Sequence, residues 1–148
     1  MLEYKKIKLK EVDQVYKLYC QEESMVIEPM AIEKARKIYS LMLANDSYTF
    51  ACFKDEKIIA VVNVNKILDY YPDYQNAPYV HLETIIVAKE YQGQGIGTQL
   101  LTECIKLLKT EGVTYIIGQS KNPTMKSVFI KAGLIDQSCD DFRVNFIK

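Results

Sequence analysis

Residues 85–108 constrain the fold of this chain more than any other segment, because three local patterns follow one another there. The apolar run at 85–87 predicts a buried strand, and a helical apolar pattern runs over 100–108. Glycine stands at three alternate positions between them, Gly93, Gly95 and Gly97. A strand, a glycine turn and a helix in this order direct backbone N–H groups at an anion, which approaches closely where no Cβ stands. We therefore expect this turn to bind a phosphate-bearing ligand.

The composition is typical of a single compact domain over residues 1–148. The chain has 148 residues, of which 49% are hydrophobic, so it can bury a substantial core. Its 19 basic and 19 acidic residues balance, so we expect neither nucleic acid nor a membrane surface as a partner. We find no pattern of a signal peptide or a membrane span and expect a cytoplasmic protein. The four cysteines form no CxxC pair and His81 is the single histidine, which argues against a metal site.

Apolar periodicity predicts the order of the secondary structure elements. Helices are expected over 12–22, from Pro29 onward, after the glycine turn as far as about 110, and over 122–132. Strands are expected at 2–9, 48–53, 57–64, 79–87 and 113–119, with two more within 134–148. The polar turn at 54–57 predicts a hairpin between the second and third of these strands, and residues 67–78 are expected to form a loop. Because strands and helices are interspersed, we predict a mixed α/β (α+β) fold with a central sheet of about seven strands flanked by about four helices.

Two nucleotide-binding interpretations of the glycine turn fail on spacing. A P-loop requires Lys followed by Ser or Thr after its last glycine, and none stands there. A dinucleotide fingerprint requires a third glycine where Thr98 stands, and an acidic residue where the next strand ends in Gly118-Gln119-Ser120. A turn that serves only to pack a helix closely on a sheet remains an alternative.

Two segments carry a family resemblance. Gln92-Gly93-Gln94-Gly95-Ile96-Gly97 resembles (Gln/Arg)-x-x-Gly-x-(Gly/Ala), the acetyl-CoA signature of the GCN5-related N-acetyltransferase (GNAT) family. Residues 122–134 resemble the family's Asn-x-x-Ala-x-x-Leu-Tyr-x-x-x-Gly-Phe motif, and the predicted element order also matches. The resemblance implies one GNAT-like domain that transfers an acetyl group from acetyl-CoA directly to a primary amine. The alternative is a non-catalytic acyl-CoA-binding or interaction module on the same fold.

The resemblance also implies which residues bind acetyl-CoA. The pyrophosphate would lie on the N–H groups of 92–98, and the pantetheine arm would pair with the main chain at 85–87, with the Val87 N–H directed at the thioester carbonyl. Asn122 would hydrogen-bond the arm and Phe129 would pack beside it. The implied site is Ile85, Ile86, Val87, Gln92, Gly93, Gln94, Gly95, Ile96, Gly97, Thr98, Asn122 and Phe129. Relatives often have a tyrosine at position 129 that protonates the leaving thiolate, and Phe129 has no hydroxyl, so that acid stays unassigned.

Glu83 is the candidate general base, and Val87 is the other predicted catalytic residue. A base must take a proton from the amine before it attacks, and a carboxylate among apolar neighbours suits this task. Two-residue alternation predicts that His81, Ile85 and Val87 share the face of Glu83. The alternative is a carboxylate at a solvated strand end, or one paired with a lysine or with His81, which we expect to be a satisfied neighbour.

The acceptor is the part of the function that the sequence specifies least. The resemblance implies that the segment between the first two helices, 21–29, and a loop beside the central strands, 69–74, choose the substrate. Their carboxylates and tyrosines would suit a small cationic amine such as a polyamine, an amino sugar or an amino acid derivative. Both segments also fit solvated surface loops, and a protein N-terminus or lysine remains an alternative acceptor. The expected partners are therefore acetyl-CoA and a small amine, and a homodimer is left open.

Overall fold

The computed structural model of the protein describes residues 1–22, 29–67, 79–120, 123–136 and 141–145. Within these ranges it contains seven strands, β1 (Leu2–Lys6), β2 (Tyr48–Lys54), β3 (Lys57–Ile67), β4 (Tyr79–Val87), β5 (Tyr115–Gln119), β6 (Ile135–Asp136) and β7 (Asp141–Asn145). The four α-helices of the same ranges are α1 (Val12–Tyr19), α2 (Pro29–Ala44), α3 (Ile96–Thr110) and α4 (Pro123–Lys131). The strands form one mixed sheet in the order β1-β2-β3-β4-β5-β7-β6, so the predicted fold class is confirmed.

Some element boundaries differ from the prediction for identifiable local reasons. The strand expected over 2–9 ends earlier, at Lys6. Its predicted last residue, Leu9, instead begins a 3-10 turn over Leu9–Glu11, and the Lys8 N–H donates to the Glu11 carboxylate at 2.7 Å. The helix expected over 12–22 ends at Tyr19 and continues as a 3-10 turn over Cys20–Glu22. Strand β3, expected to end at 64, continues to Ile67, which is the first residue of the loop expected over 67–78. The other residues of that expected loop lie outside the described ranges.

The β2–β3 hairpin was correctly predicted from its short polar turn. Asp55 and Glu56 have φ of 50° and 67°, the left-handed values that a tight two-residue hairpin turn requires. Both strands are almost entirely buried, since helices cover both faces of the sheet. The largest fully buried side chains include Ile59, Val61, Val62, Val64, Leu82, Leu100 and Leu101.

Two neighbouring residues of β2 show that the helices cover opposite faces. The Tyr48 hydroxyl donates to Glu111, which directly follows α3, at 2.7 Å. The hydroxyl of Thr49 donates to Asn63 at 2.8 Å, and the same Asn63 oxygen accepts from Tyr19 of α1 at 3.0 Å. Because successive strand residues point to opposite sides, α1 and α3 lie on opposite faces of the sheet. Helix α2 packs with α1, and α4 packs with α3.

Strands β4 and β5 separate partway along their length. Their parallel pairing runs from Tyr79 opposite Tyr115 to Leu82 opposite Gly118 and ends there. Strand β4 continues to Val87 alongside β3, so its other edge has no strand partner over 83–87 among the described residues. This unpaired length, which we call the open edge of β4, leads directly to the glycine turn.

A bulge in β4 overturns the predicted sharing of faces. Asn63 lies opposite Glu83, whereas Val61 lies opposite Ile86, so β4 contains one more residue than β3 between these pairs. Thr84, within the bulge, has a φ of 52°. Directly opposed residues point to the same side, so Glu83 shares the face of Asn63 and α1. Beyond the bulge the alternation shifts by one residue, and Val87 points to the face of α3.

Candidate active site

The glycine turn presents free backbone donors at the start of α3. Gly93 and Gly95 have φ of 77° and 78°, a conformation that side chains strongly disfavour. Gly95 precedes the helix, and the Gln99 N–H donates to its carbonyl at 3.0 Å. The three N–H groups before Gln99 belong to the first turn of the helix and therefore have no intrahelical acceptor. Together with the helix dipole they form a site suited to an anion.

A cavity of about 860 Å³ joins this turn to the open edge of β4. Its walls are the end of α1, the last residues of β4, the first turn of α3 and one side of α4. Nine of the residues predicted to bind acetyl-CoA line it, namely Ile85, Ile86, Val87, Gln92, Gly93, Gly95, Ile96, Gly97 and Thr98. Gln94 is exposed and does not line the cavity, and its side chain donates to the Glu90 carbonyl at 3.3 Å. Asn122 lies outside the described residues.

The backbone of Val87 points into the open edge. The Ala88 N–H donates to the Ile59 carbonyl at 2.8 Å, and Val87 lies opposite Ala60. Because bonded and non-bonded pairs alternate in an antiparallel ladder, the N–H and carbonyl of Val87 face away from β3. The carbonyl accepts the side-chain amides of Gln21 and Gln92, each at 3.0 Å. The Val87 N–H has no acceptor among the described residues.

Glu83 belongs to a polar cluster on the α1 face. Its carboxylate oxygens lie 2.8 Å from His81 Nδ1 and 2.7 Å from the Asn65 side-chain nitrogen. The side chain is 46% exposed, compared with 20% for His81. The prediction of apolar surroundings is therefore wrong, because the Glu83 carboxylate is hydrogen-bonded to His81 and Asn65 and is in contact with solvent. Glu83 does not line the described part of the cavity. As predicted, His81 lies on the same face of β4 as Glu83.

Phe129 is a core residue. Its ring is 2% exposed and stacks on Phe142 with centroids 5.4 Å apart. It also covers Gly118, at the point where β4 and β5 separate, so closely that a Cβ there would lie 2.6 Å from the ring. The prediction that Phe129 packs beside a ligand arm is not supported by this position, because the ring fills the space that Gly118 leaves and does not line the cavity.

Leu18 and Tyr19 of α1 and Gln21 of the following turn also line the cavity, and the sequence predicts no contact with the donor for any of them. Gln21 donates to the Val87 carbonyl and accepts from the Lys89 N–H at 3.1 Å. Tyr19 also lines the cavity, and its hydroxyl donates to Asn63. Burial raises the pKa of this hydroxyl by more than the hydrogen bond to Asn63 lowers it, so the pKa lies above its ordinary value. In this segment the sequence singles out only the acidic residues that follow Gln21, because a single glutamine carries no periodic signal.

Neither a membrane-spanning helix nor a metal-binding group is found in the part of the chain that the structure describes. None of those helices is long and apolar enough to cross a bilayer. No three His, Cys, Asp or Glu side chains there are grouped so that they could hold a metal ion.

Comparisons with known proteins identify the family. The family model described as the acetyltransferase (GNAT) family matches residues 12–133. The fold is similar to that of an N-acetyltransferase from Staphylococcus aureus Mu50, at 14% identity and a TM-score of 0.76, with 99% of each chain covered. It is also similar to glucosamine-6-phosphate N-acetyltransferase from Arabidopsis thaliana, at 15% identity and a TM-score of 0.74, with 93% of this chain and 94% of that chain covered. A ribosomal-protein-alanine N-acetyltransferase from Brucella melitensis has 13% identity and a TM-score of 0.72, with 97% of this chain and 99% of that chain covered.

These identities support a likeness of fold alone. No functionally curated protein matches the sequence. The family model nevertheless spans most of the chain, including the open edge of β4, the glycine turn and α4. The protein therefore belongs to the acetyltransferase (GNAT) family.

Proposed function

We propose that this protein is an enzyme that transfers the acetyl group of acetyl-CoA directly to a primary amine. The observation that carries the proposal is the Val87 N–H on the open edge of β4, which has no acceptor in the described part of the chain and lies in the same cavity as the glycine turn. Acetyl-CoA carries a pyrophosphate at one end of a long arm and a thioester at the other. The turn supplies donors for the first group, and the strand edge supplies a donor for the second.

The Val87 N–H is the proposed donor to the thioester oxygen. The amine attacks the thioester carbon, a C–N bond forms, and negative charge develops on the carbonyl oxygen. A backbone donor aimed at that oxygen contributes about 3–4 kcal/mol to transition-state stabilisation. The C–S bond then breaks and coenzyme A leaves as a thiolate, which takes a proton from solvent because Phe129 has no hydroxyl to donate.

Glu83 is the proposed general base, acting through water. Since the bulge absorbs one residue, Glu83 and Val87 lie roughly 10 Å apart along the strand. This spacing leaves room for the acceptor amine and a water molecule between them. A carboxylate has no proton to donate, so His81 donates to it through Nδ1, and the Asn65 amide donates to the other oxygen. These two bonds hold the carboxylate in place while its exposed side remains available to a water molecule.

A small cationic amine is the proposed acceptor. The Glu83 carboxylate would attract a positive charge, and the Tyr19 ring offers an aromatic surface in the adjoining cavity. A polyamine, an amino sugar and an amino acid derivative all meet this description. Two structural neighbours bear names that refer to an amino sugar phosphate and to a protein alanine, so the fold serves acceptors of both sizes. The cytoplasmic location and the homodimer stay predictions.

Thiol release from acetyl-CoA, measured over a panel of amines, tests the proposed function. We expect release that depends on at least one small cationic amine, with the acetylated amine identified by mass spectrometry. Peptides with free N-termini and lysines belong in the same panel, since they separate a protein acceptor from a small one. Tight binding of coenzyme A without amine-dependent release would favour the non-catalytic module and contradict the enzyme.

A further inference from the structure

A side chain already occupies part of the open edge of β4. The Gln21 carboxamide donates to the Val87 carbonyl at 3.0 Å and accepts from the Lys89 N–H at 3.1 Å. The Val87 carbonyl belongs to the open edge, which faces away from β3, and Lys89 begins the 3-10 turn Lys89–Tyr91 that follows β4. Gln21 itself comes from the 3-10 turn after α1, so its contact with β4 joins segments that are 66 residues apart.

This contact has the hydrogen-bond pattern of a parallel strand. In a parallel ladder, one residue of the neighbouring strand donates to the carbonyl of residue i−1 and accepts from the N–H of residue i+1. Gln21 makes these two bonds around Ala88, to Val87 on one side and Lys89 on the other. The Gln21 carboxamide therefore makes the two hydrogen bonds that a neighbouring parallel strand would make. Strand β5 does not make them, because its pairing with β4 ends at Leu82 and Gly118.

The Val87 carbonyl has no remaining capacity for another donor. A carbonyl oxygen has two lone pairs, and here Gln21 and Gln92 each direct a side-chain amide to it at 3.0 Å. The Val87 N–H, which lies further from the glycine turn, has no acceptor within the described ranges. Among the described residues, the open edge thus has an unpaired donor, the Val87 N–H at the proposed thioester site, and an acceptor already paired by side chains, the Val87 carbonyl.

A ligand that spans the cavity must pass the filled position. The anion site lies at residues 93–98 and the free donor at Val87, so a pantetheine arm between them runs along Lys89 and the Val87 carbonyl. The amides of that arm need backbone partners, and burying them unpaired is costly. Gln21 lines the same cavity and already hydrogen-bonds to the backbone groups that these amides would use, the Val87 carbonyl and the Lys89 N–H.

We propose that the pantetheine arm of acetyl-CoA displaces the Gln21 carboxamide from β4, so that Gln21 competes with the ligand and limits its affinity. This inference rests on the proposed function. On binding, the amides of the arm take over the bonds to Val87 and Lys89. On release of coenzyme A, Gln21 returns to them and accelerates the departure of the product.

Removal of the Gln21 amide tests the competition. In Gln21→Met the side chain keeps its length and loses both bonds, so the ligand no longer has to break them. We expect coenzyme A and acetyl-CoA to bind about three- to tenfold more tightly by calorimetry, with slower dissociation in stopped flow. Gln21→Ala should act in the same direction. Gln99→Ala is the matched control, because the Gln99 side chain is exposed on α3 and, among the described residues, bonds to Glu103 alone, at 3.0 Å.

The side-chain amide signals of Gln21 give a second measurement that is independent of any substitution. Titration of the wild-type protein with coenzyme A should shift the ¹⁵N and ¹H signals of the Gln21 carboxamide and leave those of Gln99 in place. A Gln21 signal that stays unchanged at saturation would overturn the displacement. So would equal or weaker binding of coenzyme A to a Gln21→Met variant that melts at the wild-type temperature.

The outcomes also separate this inference from the function on which it rests. If the wild-type protein binds coenzyme A and Gln21→Met binds it no better, only the competition is overturned. If the wild-type protein does not bind coenzyme A at all, the proposed function and the competition are both overturned.

Discussion

Glu83 lies directly opposite Asn63 on the neighbouring strand, and this pairing places its side chain on the face that α1 covers. Val87, four positions later, presents its side chain to α3 and its backbone to the open edge of β4. The bulge at Thr84 causes this separation. The proposed base and the proposed oxyanion donor therefore approach an acceptor from different directions, although they belong to the same strand.

Replacement of the proposed base should reduce the rate of transfer and leave the binding of the donor intact. Glu83→Gln keeps the shape of the side chain and removes the proton acceptor, so we expect turnover to fall by at least about 100-fold. The affinity for acetyl-CoA, measured by calorimetry, should change little. Glu103→Gln is a matched control, since the Glu103 carboxylate accepts from Gln99 and Lys106 on α3 and does not line the cavity, and it should retain full turnover. Equal turnover in Glu83→Gln would remove Glu83 from the mechanism.

Two glycines with similar positive φ should separate folding from ligand binding. Gly95 and Gly112 have φ of 78° and 81°, and a Cβ at either position meets nothing within 4 Å. Alanine at each should therefore cost about 1–2 kcal/mol of unfolding free energy from backbone strain alone. Only Gly95→Ala adds a methyl group at the anion site, so only this variant should bind coenzyme A more weakly, by about tenfold or more. Calorimetry and thermal melts measure the two effects, and similar affinities in both variants would contradict the assignment of the anion site.

The packing of Gly118 against Phe129 predicts a large loss of stability from a small substitution. A Cβ at Gly118 would lie 2.6 Å from the Phe129 ring, so Gly118→Ala should lower the unfolding free energy by about 1–3 kcal/mol. Combination with Phe129→Leu should recover part of this loss, because the two residues share one space. At Gly97 a Cβ would meet Val87 at an ordinary 3.6 Å, so Gly97→Ala should be tolerated. Urea denaturation of these three variants and of Phe129→Leu alone measures the differences, and additive losses in the double variant would rule out the steric explanation.

An ion-pair cluster at the end of α3 predicts a dependence of stability on acid. Burial alone would raise the pKa of Glu111, but hydrogen bonds from Lys6 and Tyr48, with the charge of Lys66, lower it below the ordinary value of 4.5. The folded state therefore holds Glu111 ionised more strongly than the unfolded state does. This contribution to stability is present above pH 4.5 and is lost as the pH falls through the lower, folded pKa.

Glu111→Gln tests this contribution. The variant should be less stable than wild type at neutral pH, and the difference in unfolding free energy should narrow as the pH falls below 4.5. Urea denaturation of both proteins over a pH series measures this difference in unfolding free energy. A difference that is constant down to the lowest pH would show that the charge of Glu111 does not stabilise the fold.

The local patterns of the sequence determined the fold class, the glycine turn and the hairpin at Asp55, because each depends on residues that are adjacent in the chain. Apolar periodicity reports which side of an element is buried, and glycine reports a backbone that side chains disfavour. The strand at 79–87 and the helix after the turn were predicted on these grounds, and both were confirmed.

Only the tertiary structure decided which way the site residues point. The bulge in β4 depends on pairing with β3, and it reversed the expected face of Val87 relative to Glu83. The burial of Phe129 depends on the space left by Gly118 on another strand, and the bond from Gln21 to Val87 joins residues 66 positions apart. Sequence periodicity reaches only a few residues along the chain. These contacts form between segments that folding brings together, so their geometry appears only when the sheet and its helices have assembled.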